Sequence, residues 1–175
     1  LALVYEDLGQ PDSAADEWRE ILDEHSSYVP AYVGLIECLL KQGNTRDVAR
    51  YIESLRQIPG GTADAFRMSA RLMESTSELV RAIAELRSGL ELCSHDSGLL
   101  RELARMLHSN QDYLAALEVL NRLVAELPED VSAWHNRGVI LGLLERQEES
   151  QAAFQMVDSL KASLSRGVMH VHSRP

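Results

Sequence analysis

Apolar positions in this chain recur at helical rather than strand spacing. Phe66, Ala70 and Met73 share one face, and Leu79, Ile83, Leu86 and Leu90 share another. That segment reads as an amphipathic helix, a turn and a second amphipathic helix. The unit repeats. Ala14, Val48, Ala82, Ala116 and Ser150 stand 34 residues apart, and four residues after each comes Trp18, Ile52, Leu86, Leu120 or Phe154. A second pair of columns keeps the same phase: Ala2, Ile36, Ala70, Ala104 and Gly138, with Tyr5, Leu39, Met73, Leu107 and Leu141 three further on. A constant period without an insertion marks a stack of similar supersecondary units. The pattern predicts ten helices in antiparallel pairs and no strand. First helices fall near 1–8, 30–42, 63–75, 97–109 and 131–144; second helices fall near 12–25, 45–57, 78–93, 112–127 and 146–165.

Small residues suit the points where paired helices cross, because an interaxial distance of roughly 8 Å leaves no room for a long side chain. Bulky residues fill the neighbouring holes. Turns are marked by Gly9 with Pro11, by Gly43-Asn44 and by Asn110, which tolerate the left-handed backbone of a helix end. Pro59-Gly60-Gly61 and Pro128 separate one unit from the next.

These columns resemble the tetratricopeptide repeat, whose signature runs W-x2-L-G-x2-Y, then A-x3-F, then proline. The fifth unit reads Trp134-x2-Arg137-Gly138-x2-Leu141, then Ser150-x3-Phe154. The fourth reads Leu100-x2-Leu103-Ala104-x2-Leu107, then Ala116-x3-Leu120, closing on Pro128; the first keeps Leu1-Ala2-x2-Tyr5, Gly9 and Ala14-x3-Trp18. Ile36 and Val48 are large for their slots, and Ser77, Gln111 and Glu145 stand where a turn glycine is usual. The resemblance covers residues 1 to about 162. It implies an all-α chain, a right-handed superhelical α-solenoid of five helix-turn-helix repeats with the first truncated at its start. The array spans 1–165, in repeats at about 1–28, 29–62, 63–96, 97–130 and 131–165, and 166–175 reads as a tail.

Composition narrows the partners. With 45% apolar residues the 175-residue chain has ample core, laid out as a spine rather than a centre. A net charge of −10 argues against nucleic acid, which needs a basic face, and against an anionic membrane surface. Cys38 and Cys93 lie at unlike positions in different repeats, so a disulfide is not expected and a reducing, cytoplasmic compartment is. No apolar run approaches the roughly 18 residues of a membrane span, and no signal peptide is evident. Leu1 begins inside a helix without an initiator methionine, as a piece of a longer protein would. At the other end, Phe154, Val157, Leu160 and Leu164 form an apolar stripe with no capping helix after it, a face suited to a homodimer.

Chemistry is sparse. No phosphate-binding loop, dinucleotide fingerprint, zincin, nucleophile-elbow or C-x-x-C motif occurs. His170-Val171-His172 lies in the expected tail, and Cys93-Ser94-His95 falls in a helix-ending turn; neither reads as a metal site. Glu129-Asp130 and Glu148-Glu149 open helices, where negative charge suits the dipole, and read as solvated faces. No catalytic residue, cofactor or metal is expected, and the segment itself reads as no enzyme.

One constellation stands out. Arg67 and Arg71 lie four apart on a first helix, and Arg101 and Arg105 repeat them one period later. Residues four apart share a helix face, and the resemblance implies that this face lines a peptide-binding groove, with His108, His135 and Asn136 on the same or an adjoining face. Guanidinium forks suit a carboxylate, a phosphate or an acidic peptide. The alternative is internal pairing with Glu37, Glu74 and Glu102. Neither chaperone-tail clamps nor asparagine ladders match the columns, since Glu37 and Val139 align with Arg71 and Arg105, and Asn136 aligns with Gly34, Met68 and Glu102.

Trp18 to Leu22, the helix Val29 to Leu40, and Ala65 to Leu72 also resemble the repeat tail following bacterial family-two glycosyltransferase domains, without any of their catalytic residues. Two functions are therefore expected: a protein- or peptide-binding scaffold with an Arg-lined groove, or a C-terminal accessory region of a larger bacterial enzyme, positioning substrate or driving assembly.

Overall fold

A computed structural model describes residues 1–171 of the chain. Among the described residues there are ten α-helices and no strand. They are α1 (Ala2–Asp7), α2 (Pro11–Glu24), α3 (Val29–Lys41), α4 (Thr45–Gln57), α5 (Thr62–Ser75), α6 (Leu79–Leu92), α7 (Ser97–Ser109), α8 (Tyr113–Glu126), α9 (Val131–Leu143) and α10 (Gln147–Val171). Nine begin and end close to the expected bounds. The tenth differs: α10 runs on to Val171, past the expected start of the tail at 166, while 172–175 lie outside the described residues. His170 therefore belongs to a helix, and His172 is outside the description.

The turns inside the repeats share one hydrogen-bonding solution. Gly9, Gly43, Ser77, Gln111 and Glu145, one period apart, all have left-handed backbone, with φ from 59° to 72°. After each, the next N–H reaches back to a carbonyl five residues earlier: Gln10 to Tyr5, Asn44 to Leu39, Glu78 to Met73, Asp112 to Leu107 and Arg146 to Leu141. This is the Schellman closure of a helix end. In the fourth repeat the left-handed residue is Gln111, not the Asn110 that its chemistry favours. Asn44 and Asp112 then cap the following helices through Asp47 N and Ala115 N.

The chain divides into two compact units, Leu1–Leu99 and Leu100–Pro175, with the division inside α7. In the first, the small column is sealed: Ala14, Val48 and Ala82 have no exposed surface. Trp18 lies flat against Gly34, where an added Cβ would come within 2.4 Å of the indole. Gly89 receives Phe66 in the same way, at 2.9 Å. In the second unit Ala116 is fully buried, and the Ser150 hydroxyl, in the last small slot, donates to the Gly138 carbonyl at 2.8 Å. Phe154 covers Gly138, and Val157 is buried. The expected open stripe on α10 is therefore not continuous. Val157 belongs to the core of its unit, Phe154 is half-buried against Gly138, Leu160 is half-buried, and only Leu164 of the four is well exposed, at 61%.

Candidate functional site

In the second unit, successive turns of α7 and α9 carry the side chains expected at the groove. Arg105, His108 and Asn136 line a cavity of about 110 Å³ with an apolar floor of Ala104, Leu120, Val139 and Ile140. An adjoining cavity of about 190 Å³ shares Arg105, Leu120 and Asn136, and adds Arg101, Glu102 and Ser132. His108 also leans on the Tyr113 ring, with centroids 5.9 Å apart. His135 is placed elsewhere. Its ring meets Phe154 of α10 edge to face at 5.6 Å, and it lines neither cavity.

Each arginine of the expected quartet has an acidic partner. Arg101 holds Asp130 through Nε, at 3.1 Å, and through Nη2. Arg105 Nη2 donates to Glu102 Oε1 at 2.9 Å. In the first unit, Arg71 Nη1 donates to Glu37 Oε1 at 2.5 Å, a pair one full period apart, and Arg67 bonds Asp64 one turn back. The Arg67 Nε is buried without a hydrogen-bond partner. Pairing with Glu37 and Glu102 follows from the columns. The roles of Asp64 and Asp130 were missed, although Asp64 lies three residues before Arg67, a spacing that pairs charges on a helix.

Asp130 corrects the reading of Glu129-Asp130 as a solvated face. Its side chain is only 12% exposed. It caps α9, accepting from Ser132 N at 3.0 Å and Ala133 N at 3.1 Å, while Arg101 grips its other oxygen. Partial burial opposes its ionisation, but the Arg101 hydrogen bond, the Ala133 N–H, the Arg101 charge and the Ser132 N–H outweigh it. Together they hold the carboxyl below its ordinary 3.8.

The acids and their arginines form a layered arrangement. Glu102 and Asp130 side chains are 8% and 12% exposed, while Arg105 and Arg101 above them are 45% and 46% exposed. Each acid holds its arginine through a hydrogen bond, and close to half of each arginine side chain stays exposed. Among the described residues, no three His, Cys, Asp or Glu side chains gather as a metal site, and no helix is long and apolar enough to cross a membrane.

A tetratricopeptide-repeat family model matches residues 1–61. No curated protein sequence matches the chain. Among solved structures, MamA is similar at 14% identity, over 95% of this chain and 97% of that one, with a TM-score of 0.67. A tetratricopeptide repeat protein from Parabacteroides merdae is 14% identical over 91% of this chain and 62% of its own, with a TM-score of 0.70. YrrB, described as a TPR protein with an unusual peptide-binding site, is 18% identical over 92% of this chain and 83% of its own, with a TM-score of 0.60. The chain has the tetratricopeptide-repeat fold. These likenesses concern the repeats and lend nothing to the glycosyltransferase resemblance.

Proposed function

We propose that this segment is a non-catalytic scaffold that binds protein or peptide, and that the second unit's groove accepts an acidic or carboxylate-bearing stretch. The observation that carries this reading is the layering just described. Arg101 and Arg105, with close to half of each side chain exposed, stand beside Asn136 and His108 over an apolar floor, and partly buried Asp130 and buried Glu102 hold them in place. Pre-positioned forks lose less freedom on binding a carboxylate than loose side chains would. Leu120, Val139 and Ile140 offer surface to an apolar residue next to the acid. Arg67 and Arg71, tethered by Asp64 and Glu37, offer the same forks in the first unit but without that layering, since each arginine is about as exposed as its acid. The peptide-binding site in the description of YrrB is consistent with this use of the fold.

The test is a titration with a capped peptide rich in Asp and Glu against its Asn/Gln isostere. The acidic peptide should bind more tightly, and its advantage should shrink as salt rises, because screening acts over about 8 Å at physiological ionic strength. Arg105→Lys should already weaken it, since an ammonium cannot form a planar fork. Equal binding of the two peptides at every salt concentration would sink the acidic preference. Self-association through the remaining outward leucines is a second use of the molecule, favoured by the exposure of Leu164. Leu160→Ser with Leu164→Ser should then change its sedimentation, and an unaltered monomer for both proteins would remove it.

A further inference from the structure

We propose that a cleft in the first unit, lined by none of the four groove arginines, is a docking site for an arginine side chain of a protein partner. The cleft, about 300 Å³, is lined by Arg19, Leu22 and Asp23 of α2, Tyr32 of α3 and Tyr51 of α4. The two tyrosine rings meet edge to face with centroids 6.1 Å apart. Tyr32 is anchored by its hydroxyl, which donates to the Ser26 carbonyl at 3.1 Å. Arg19 lies against its own Asp16 at 2.6 Å, so its charge is already matched. The Asp23 carboxylate has no hydrogen bond or ion pair among the described residues. An aromatic wall, an apolar floor and one unmatched carboxylate are what a guanidinium on a three-carbon stem requires.

The repeat itself shows what fits there. One period on, Leu22, Tyr32 and Tyr51 become Arg56, Phe66 and Glu85. In that place the chain supplies its own guanidinium. Arg56 lies over the Phe66 ring at 5.1 Å, and its Nη2 donates to Glu85 at 2.7 Å. In the cleft the aromatic residue is kept as Tyr32, the acid comes from Asp23 instead, and the arginine is replaced by the shorter Leu22. The shorter side chain leaves open the volume that Arg56 fills in the next repeat. Charge favours a basic occupant as well. Helix α2 carries Asp12, Asp16, Glu17, Glu20, Asp23 and Glu24 against the single cation Arg19. On α4, Arg50 lies over the Tyr51 ring at 4.9 Å, with its charge matched by Asp47 at 3.5 Å, which leaves Tyr32 as the aromatic wall without a cation of its own among the described residues. The cleft and the groove thus prefer opposite charges.

The experiment titrates a capped Gly-Arg-Gly peptide into the full chain, following the ring signals of Tyr32 and Tyr51 by NMR. Saturable shifts are expected, with a capped Gly-Gln-Gly peptide causing none. Asp23→Asn should weaken binding about threefold to fivefold, the order of one exposed ion pair. Leu22→Arg should fill the cleft from within, as Arg56 does, and abolish the shifts. Should that variant unfold, Asp23→Asn at an exposed position still decides. Arg105→Ala, in the groove, should leave the titration unchanged. Equal shifts with the glutamine peptide, an Asp23→Asn variant that binds as the parent does, or loss of the shifts in Arg105→Ala would each overturn the proposal.

Discussion

Ser77, Gln111 and Glu145 keep left-handed backbone at φ 66°, 61° and 59°, where an L side chain crowds the following carbonyl. The cost is about 1–2 kcal/mol for such a residue. Glycine removes it but loosens the unfolded chain by about 0.4–1 kcal/mol. Each change to Gly is therefore expected to stabilise by about 0.5–1 kcal/mol, seen as a higher urea midpoint. Lower midpoints for all three would show that the strain relieved is smaller than the freedom glycine gives the unfolded chain. The two tryptophans part on burial. Trp18, 8% exposed and flat on Gly34, should cost roughly 3–5 kcal/mol on change to Ala. Trp134 should cost less. It is only half-buried, with Nε1 donating to the Pro128 carbonyl at 2.8 Å and Arg137 over its ring at 5.4 Å. Equal losses in thermal melts would contradict that ranking.

At the level of elements, the repeat period made the helices legible, because each column position meets the same neighbours in every unit. What it left out is what columns do not encode. The length of α10 depends on residues after the last bulky slot, where no partner column exists to mark an end. Asp130 looked like a dipole-favouring acid, since a helix-opening carboxylate gives no sign in sequence of a cation 29 residues before it. Its double role makes a pH prediction. The folded-state pKa is depressed, so its contribution is present above the ordinary carboxylate value and is lost as pH falls through the folded value. Asp130→Asn keeps an acceptor for the α9 cap but removes the charge. The stability gap between parent and variant should therefore be open at neutral pH and close in acid. Asp130→Ala, lacking both, should lose a further amount of about 1 kcal/mol at any pH. A gap that is constant across melts from pH 7 to pH 3 would show that the Arg101 pair contributes nothing.

Across the whole molecule, the architecture could be read from one chain and its candidate sites only in part. The columns put Arg105, His108 and Asn136 on neighbouring faces, and the second unit brings them around one cavity. His135 lines neither cavity, and its ring meets Phe154, a contact between a column residue and an off-column one that the period does not encode. The tyrosine cleft left no motif at all, being built from three helices. The central claim is that the guanidiniums of Arg101 and Arg105 bind acid, rather than serving only to satisfy Asp130 and Glu102. The direct measurement is the double change Arg101→Ala with Arg105→Ala, read for melting temperature and for affinity toward the Asp/Glu-rich peptide. The account predicts that affinity is lost while the variant, with its remaining core intact, stays folded at the assay temperature. A variant that melts earlier yet, still folded, binds the peptide as tightly as the parent would contradict it.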